Sequence, residues 1–131
     1  MILGYHFPGF AYPEEELAAA IAHELAHNVL HHRDWLDANG RSRSNVRLTE
    51  READRLMPWL LANAGYDPAA ATRFMKRWGP IHDGGIFRKR THDGWDERVE
   101  FIEAERALIE ELQQEEGVDW RRHFTREITT P

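Results

Sequence analysis

The chain contains no cysteine, so it has no disulfide frame, no thiolate zinc site and no thiol nucleophile. No apolar run approaches the roughly 20 residues of a membrane-spanning helix. Met1–Pro13 has neither a basic leading segment nor a long apolar core, so it does not read as a signal peptide. A soluble chain is the expectation, and its compartment stays unassigned. Val, Ile and Thr nowhere alternate with polar residues for long enough to make a sheet, although Ile2–Phe7 could form one strand. Positive charge is also in deficit: 17 Lys+Arg stand against 23 Asp+Glu, a net charge of −6. That balance argues against a nucleic-acid partner. The basic clusters Arg41, Arg43, Arg47, Arg51 and Arg88, Lys89, Arg90 do not interleave with aromatics and read as solvated loop charge. At 131 residues the chain can build one core and not two, so residues 1–131 are expected to form a single domain.

What is present is helical periodicity. The first helix is expected near 14–34, behind Pro13 and with acidic residues in its first turn. Residues 37–48, with Gly40 and two serines, read as an exposed loop. A second helix spans about 50–64, with Thr49 as its N-cap and Glu52 completing a capping box, and stops at Gly65. Pro58 removes the N–H that the Asp54 carbonyl would accept and is expected to bend this helix. Asp67-Pro68 starts a third helix that ends by Gly79-Pro80, and 81–93 reads as a flexible loop around Asp83-Gly84-Gly85. A fourth helix, about 94–116, puts Trp95, Val99, Ile102, Ile109 and Leu112 on one stripe and Glu100, Glu103, Glu110 and Glu111 on a solvated face. A turn around Asp119–Phe124 packs Trp120 back. The fold class is mainly α, with little or no β-sheet.

Within the first helix stands His23-Glu24-Leu25-Ala26-His27. A helix advances about 100° per residue, so His23 and His27 lie on nearly one face, about 6 Å apart along the axis. Both imidazoles can reach one metal ion. Glu24 follows the first ligand by one residue, so its carboxylate can lie beside the metal and take a proton from a water that the metal activates.

A third protein ligand would leave a fourth position open for chemistry. His31 continues the stripe but lies about 12 Å from His23 along the axis, too far for one ion to bridge. The metzincin pattern places a third His where this chain has Arg33, which excludes that class. In the second helix, Glu50 and Asp54 share a face while Glu52 points elsewhere. Glu50 is the expected third ligand, and Asp54 the carboxylate that holds a ligand His by its other ring nitrogen.

These segments together resemble the gluzincin peptidases, and more narrowly the family of HtpX, the CAAX prenyl protease and the periplasmic BepA-type proteases. The resemblance rests on H-E-L-A-H followed by E-x-x-x-D, on the acidic-then-alanine lead-in Glu14–Ala22, and on Glu52-Ala53-Asp54-Arg55-Leu56. The Gly65-Tyr66-Asp67-Pro68 turn and Thr91-His92 followed by Glu97-Arg98 extend it over roughly residues 14–102. It implies a compact zincin-like domain with an active-site helix, a Glu-ligand helix and a long C-terminal helix. It further implies a zinc-dependent metalloendopeptidase acting on a protein or peptide substrate. His23, His27 and Glu50 would hold Zn2+, Glu24 would be the base, and His92 would contact the site or stabilise a developing oxyanion. Three departures stand out. Only some 13 residues precede the active-site helix where the family carries strands, Asp93 replaces the Pro after the late His, and Pro58 stands where the family tends to have Gly.

An ImmA/IrrE-type gluzincin that cleaves a regulatory protein is the alternative within the same chemistry. A zinc-stabilised interaction module without catalysis is the alternative outside it. His31 and His32 are expected to close the first helix, where positive charge is favourable. His82 could approach the metal from its loop, and His6 and His123 have no motif context.

Overall fold

The computed structural model describes residues 13–82, 94–115 and 118–128. Six helices account for most of them: α1 (Glu14–Val29), α2 (His32–Asn39), α3 (Arg43–Asn63), α4 (Ala69–His82), α5 (Trp95–Glu115) and α6 (Trp120–His123). No strand occurs among the described residues, in keeping with the mainly α reading. The possible strand Ile2–Phe7 and most of the expected 81–93 loop, with its three basic residues, lie outside them. No described helix is long and apolar enough to cross a membrane.

α3 is the centre of the bundle, with α1, α4 and α5 all packed on it. One core cluster joins Ala19, Ala20 and Ala22 of α1 to Met57 and Leu61 of α3, Phe74 and Met75 of α4, and Ile102 of α5. The other joins Ala26 and Leu30 to Ala53, Leu56, Trp59 and Ile109, with Trp120 and Phe124 packed against it. The expected return of Trp120 to the core is therefore present. Ala19, Ala22 and Ala26 recur at helical spacing and carry only a methyl group, so α1 can lie close to α3.

Charged pairs join the helices as well as apolar contacts. Pro13 precedes α1, but its acidic first turn serves more than the dipole. Glu16 is buried and takes Arg77 of α4 at 2.6 and 3.2 Å, and Glu15 takes Arg73 at 2.6 Å. Glu105 of α5 accepts from Trp59 Nε1 at 2.9 Å and from Arg55 Nε at 3.2 Å.

Three boundaries differ from the sequence reading. The first helix does not run to residue 34: it stops at Val29, and His31 adopts the left-handed conformation at φ 56° and ψ 40° before α2 begins. The 37–48 segment is not a loop throughout. It holds the end of α2, a turn at Gly40 with φ 94°, and the first residues of α3. The N-cap of α3 is Ser42, which accepts from Asn45 N at 3.1 Å. Thr49 is thus interior, its hydroxyl donating to the Val46 carbonyl at 2.8 Å, and Glu52 is turned into the core with no capping function. α3 is continuous through Pro58. α4 likewise runs past Gly79-Pro80 to His82, after Asp67 Oδ1 accepts from Ala69 N at 2.9 Å.

Gly79 marks where α5 crosses α4. A Cβ there would stand 2.6 Å from the Trp95 Cβ, closer than two carbon atoms can pack. Gly79→Ala should gain up to about 1 kcal/mol of helix propensity and lose about 1–3 kcal/mol to overpacking. A net destabilisation in chemical denaturation is expected; a stabilised variant would mean that α5 shifts freely.

Candidate metal centre

α1 presents His23 and His27 toward α3, and α3 presents Glu50 and Asp54 toward α1. Glu50 turns one oxygen to each ring: Oε2 lies 3.3 Å from His23 Nε2 and Oε1 lies 3.4 Å from His27 Nε2. One ligand atom from each of the three side chains falls within 4.8 Å of the others. These separations are longer than a good N–H···O hydrogen bond. They match the roughly 3.3–3.4 Å between donors that share a tetrahedral ion at about 2.0–2.1 Å.

His23 supplies a second sign of fit. Its Nε2 is buried and has no hydrogen-bond partner, although Asp54 Oδ1 stands 3.0 Å away. A buried ring nitrogen that faces two carboxylates without an aligned hydrogen bond is a place where a cation would fit. Burial works against charge on this ring, but Asp54, Glu24 and Glu50 around it prevail and raise its pKa well above the usual histidine value. The pocket is therefore short of positive charge, and the His2Glu donor set suits zinc.

Glu24 lies beside the converging atoms, its Oε1 3.8 Å from His23 Nδ1, and its side chain is 42 % exposed. The His23 ring next to it lowers its pKa below the usual carboxylate value. Glu50 is also held well below that value, the neighbouring His23 and His27 outweighing its burial. Both carboxylates are ionised at neutral pH.

Asp54 occupies a different position from the one expected. It approaches the same nitrogen of His23 that faces Glu50, and not the other ring nitrogen. Its own support comes from Arg98 of α5, which donates to both oxygens at 2.6 and 2.9 Å. Asp54 is fully buried. Burial raises its pKa, yet Arg98 and His23 pull it lower on balance.

The nitrogen-to-carboxylate support expected of Asp54 is found instead behind His27. His27 Nδ1 and His32 Nδ1 are 2.8 Å apart, and His32 Nε2 is 2.8 Å from Glu52 Oε1. His32 is buried, so it is not the helix-end charge that the sequence reading made it. Burial lowers its pKa and keeps the ring neutral. A continuous helix would have set His32 about 140° around from His27; the left-handed turn at His31 brings it back.

Two cavities meet at the site. One, on the His23 side, is walled by Ala20, Phe74, Met75, Trp78 and Arg98. The other, on the His27 side, is lined by His32, Arg33, Leu36, Val46 and Thr49. Glu24 and Glu50 border both.

Of the remaining histidines, His31 is exposed beside Asp34 and His123 stacks on Trp59 at 6.4 Å; neither belongs to the centre. His92 and His6, and the side chain of His82, lie outside the described residues. Of the linker arginines, Arg51 is tied to other elements while Arg41 stays a half-exposed surface charge. Arg51 lies over the Phe101 ring and pairs with Glu127, and Arg41 pairs with Asp37. Sequence reasoning missed His32 and Arg98 beside the centre, and Arg126, which donates to Glu52 behind it at 2.7 Å. The first adjoins the motif and the second lies in the late E-R segment, but nothing in the sequence signals Arg126.

Comparison of the chain with protein-family models, curated proteins and solved structures yields no match.

Arg98→Ala should leave a buried carboxylate on α3 without its bidentate partner. Breaking such a pair costs about 3–5 kcal/mol, here toward the lower end because His23 stays in reach. Arg98→Lys should recover only part, since an ammonium cannot grip both oxygens. Denaturant titration measures both; a loss below about 1 kcal/mol for Arg98→Ala would show that water or His23 replaces the guanidinium.

Proposed function

We propose that the chain is a zinc-dependent metalloendopeptidase. One observation carries the reading: two rings of one helix and a carboxylate of the next converge within 4.8 Å, with ionised Glu24 beside them and not among them. His23, His27 and Glu50 would hold the ion. Bound zinc supplies Lewis acidity, making a water more acidic and polarising a carbonyl oxygen. Glu24 would accept a proton from the attacking water at its carboxylate and return it to the leaving amine, as the water oxygen adds to the carbonyl carbon and the C–N bond breaks.

The paired cavities support a peptide as substrate. An extended chain laid across the centre would set its carbonyl beside Glu24, with one side chain against Phe74, Met75 and Trp78. That wall suits an apolar residue. The resemblance to the HtpX, CAAX prenyl protease and BepA family supports the same assignment, with His92 as the candidate for an oxyanion contact.

Glu24→Gln is the decisive variant. It removes the base and leaves the three metal-holding side chains in place. Zinc content and thermal midpoint should stay at wild-type values while cleavage of unfolded casein falls by about 10²–10⁴, with a chelator abolishing the wild-type activity. Equal cleavage by both proteins would sink the mechanism. Zinc-loaded but inert wild type would favour a non-catalytic interaction module.

A further inference from the structure

Two ring nitrogens that face each other can hydrogen-bond only if one carries a proton and the other does not. His27 Nδ1 and His32 Nδ1, 2.8 Å apart, pose that choice directly behind the centre. The far end of the chain of contacts decides it. Glu52 accepts from His32 Nε2 at 2.8 Å, from Arg126 Nε and Nη2 at 3.1 and 2.7 Å, and from the backbone N–H groups of Glu127 and Ile128 at 3.1 Å each. Glu52 is 0 % exposed and His32 is 1 % exposed, so water is no alternative partner. A carboxylate ringed by donors is ionised and accepts only.

The protons then follow in order. Glu52 accepts from Nε2–H of His32. His32, protonated there and neutral, has a bare Nδ1 that accepts from Nδ1–H of His27. His27, with its proton on Nδ1, carries its lone pair on Nε2, the atom 3.4 Å from Glu50. The opposite order would put the His27 proton on Nε2 and close that atom to a metal.

We infer that His32 and Glu52 are positioning residues for His27: the carboxylate, clamped by the segment Arg126–Ile128, sets the tautomer of both rings so that His27 turns a bare Nε2 toward Glu50 and His23. This rests on reading His23, His27 and Glu50 as a metal site. It also makes the C-terminal segment, 74 to 76 positions beyond Glu52 in the chain, part of what holds that site.

Zinc affinity of the full chain, measured by chelator competition, tests the inference. His32→Phe keeps a buried ring and removes both nitrogens, and affinity should fall about 10–100-fold. His32→Asn places an amide oxygen near the lost Nδ1, gives His27 an acceptor again, and should recover most of that loss. A merely structural His32 predicts the reverse order, because Phe keeps the buried ring's volume better than Asn, with metal affinity following the thermal midpoint of the zinc-free protein. Nitrogen-15 NMR of the unsubstituted protein needs no variant to fold, and should find His32 protonated on Nε2 and bare on Nδ1. Wild-type affinity in His32→Phe, or a His32 proton on Nδ1, overturns the inference and leaves the metal reading standing. A wild-type chain that takes up no zinc, behaving as His27→Ala should, overturns both.

Discussion

The structure depends on α3 carrying three acids within five residues, two of them sealed from water. Glu52 and Asp54 are each 0 % exposed. A buried carboxylate costs several kcal/mol unless donors surround it, and α3 alone cannot supply them. Asp54 therefore requires Arg98, which fixes α5 across the bundle, and Glu52 requires His32 and Arg126, which fix α2 and the C-terminal segment. Replacing such pairs with apolar residues is often neutral or better for stability. Stability alone thus does not account for keeping both acids beside a pair of histidines. Both acids also face the histidine pair: Asp54 lies 3.0 Å from His23, and Glu52 reaches His27 through His32.

Backbone geometry makes the second contribution. The alanines of α1 bring its backbone close to α3, so a histidine on one helix and a short-reaching carboxylate on the other can meet. His31 then adopts a left-handed conformation that costs a non-glycine residue about 1–2 kcal/mol. Such an outlier persists where the surroundings over-determine it. Here the determinant is next in the chain: His32 is held between His27 and Glu52 at 2.8 Å on either side. A straight helix would avoid the strain and lose both hydrogen bonds.

The same two features mark where the sequence was readable and where it was not. His23, His27, Glu50 and Glu24 come from helical spacing within one element and a short jump to the next, so the pattern in the residues carries them. Helices α4 and α5 were legible from Asp67-Pro68 and from the stripe Trp95, Val99, Ile102, Ile109. The break at His31 was not, because the local sequence Val29–Asp34 has no glycine or proline to announce it. Its cause is a tertiary hydrogen bond to Glu52, 20 positions away. Thr49 and Glu52 formed a convincing capping box on paper, and Ser42 takes that place because α3 starts seven residues earlier than its charged face suggested. Arg126 lies 74 positions from its partner Glu52, a distance at which no spacing argument operates.

The two ligand rings end up supported unequally. Behind His27 stands a complete line of acceptors ending in a clamped carboxylate. His23 has Asp54, Glu24 and Glu50 crowded about it, with two of them, Asp54 and Glu50, on the very nitrogen that faces the centre. Three carboxylates against one guanidinium leave that side of the centre negative, which raises the pKa of the His23 ring against the effect of its burial. Glu50 stands where both rings converge, with one ligand atom from each of the three side chains within 4.8 Å of the others. The fold thus fixes His27 through a hydrogen-bonded chain and surrounds His23 with carboxylates, and Glu50 meets both rings from α3.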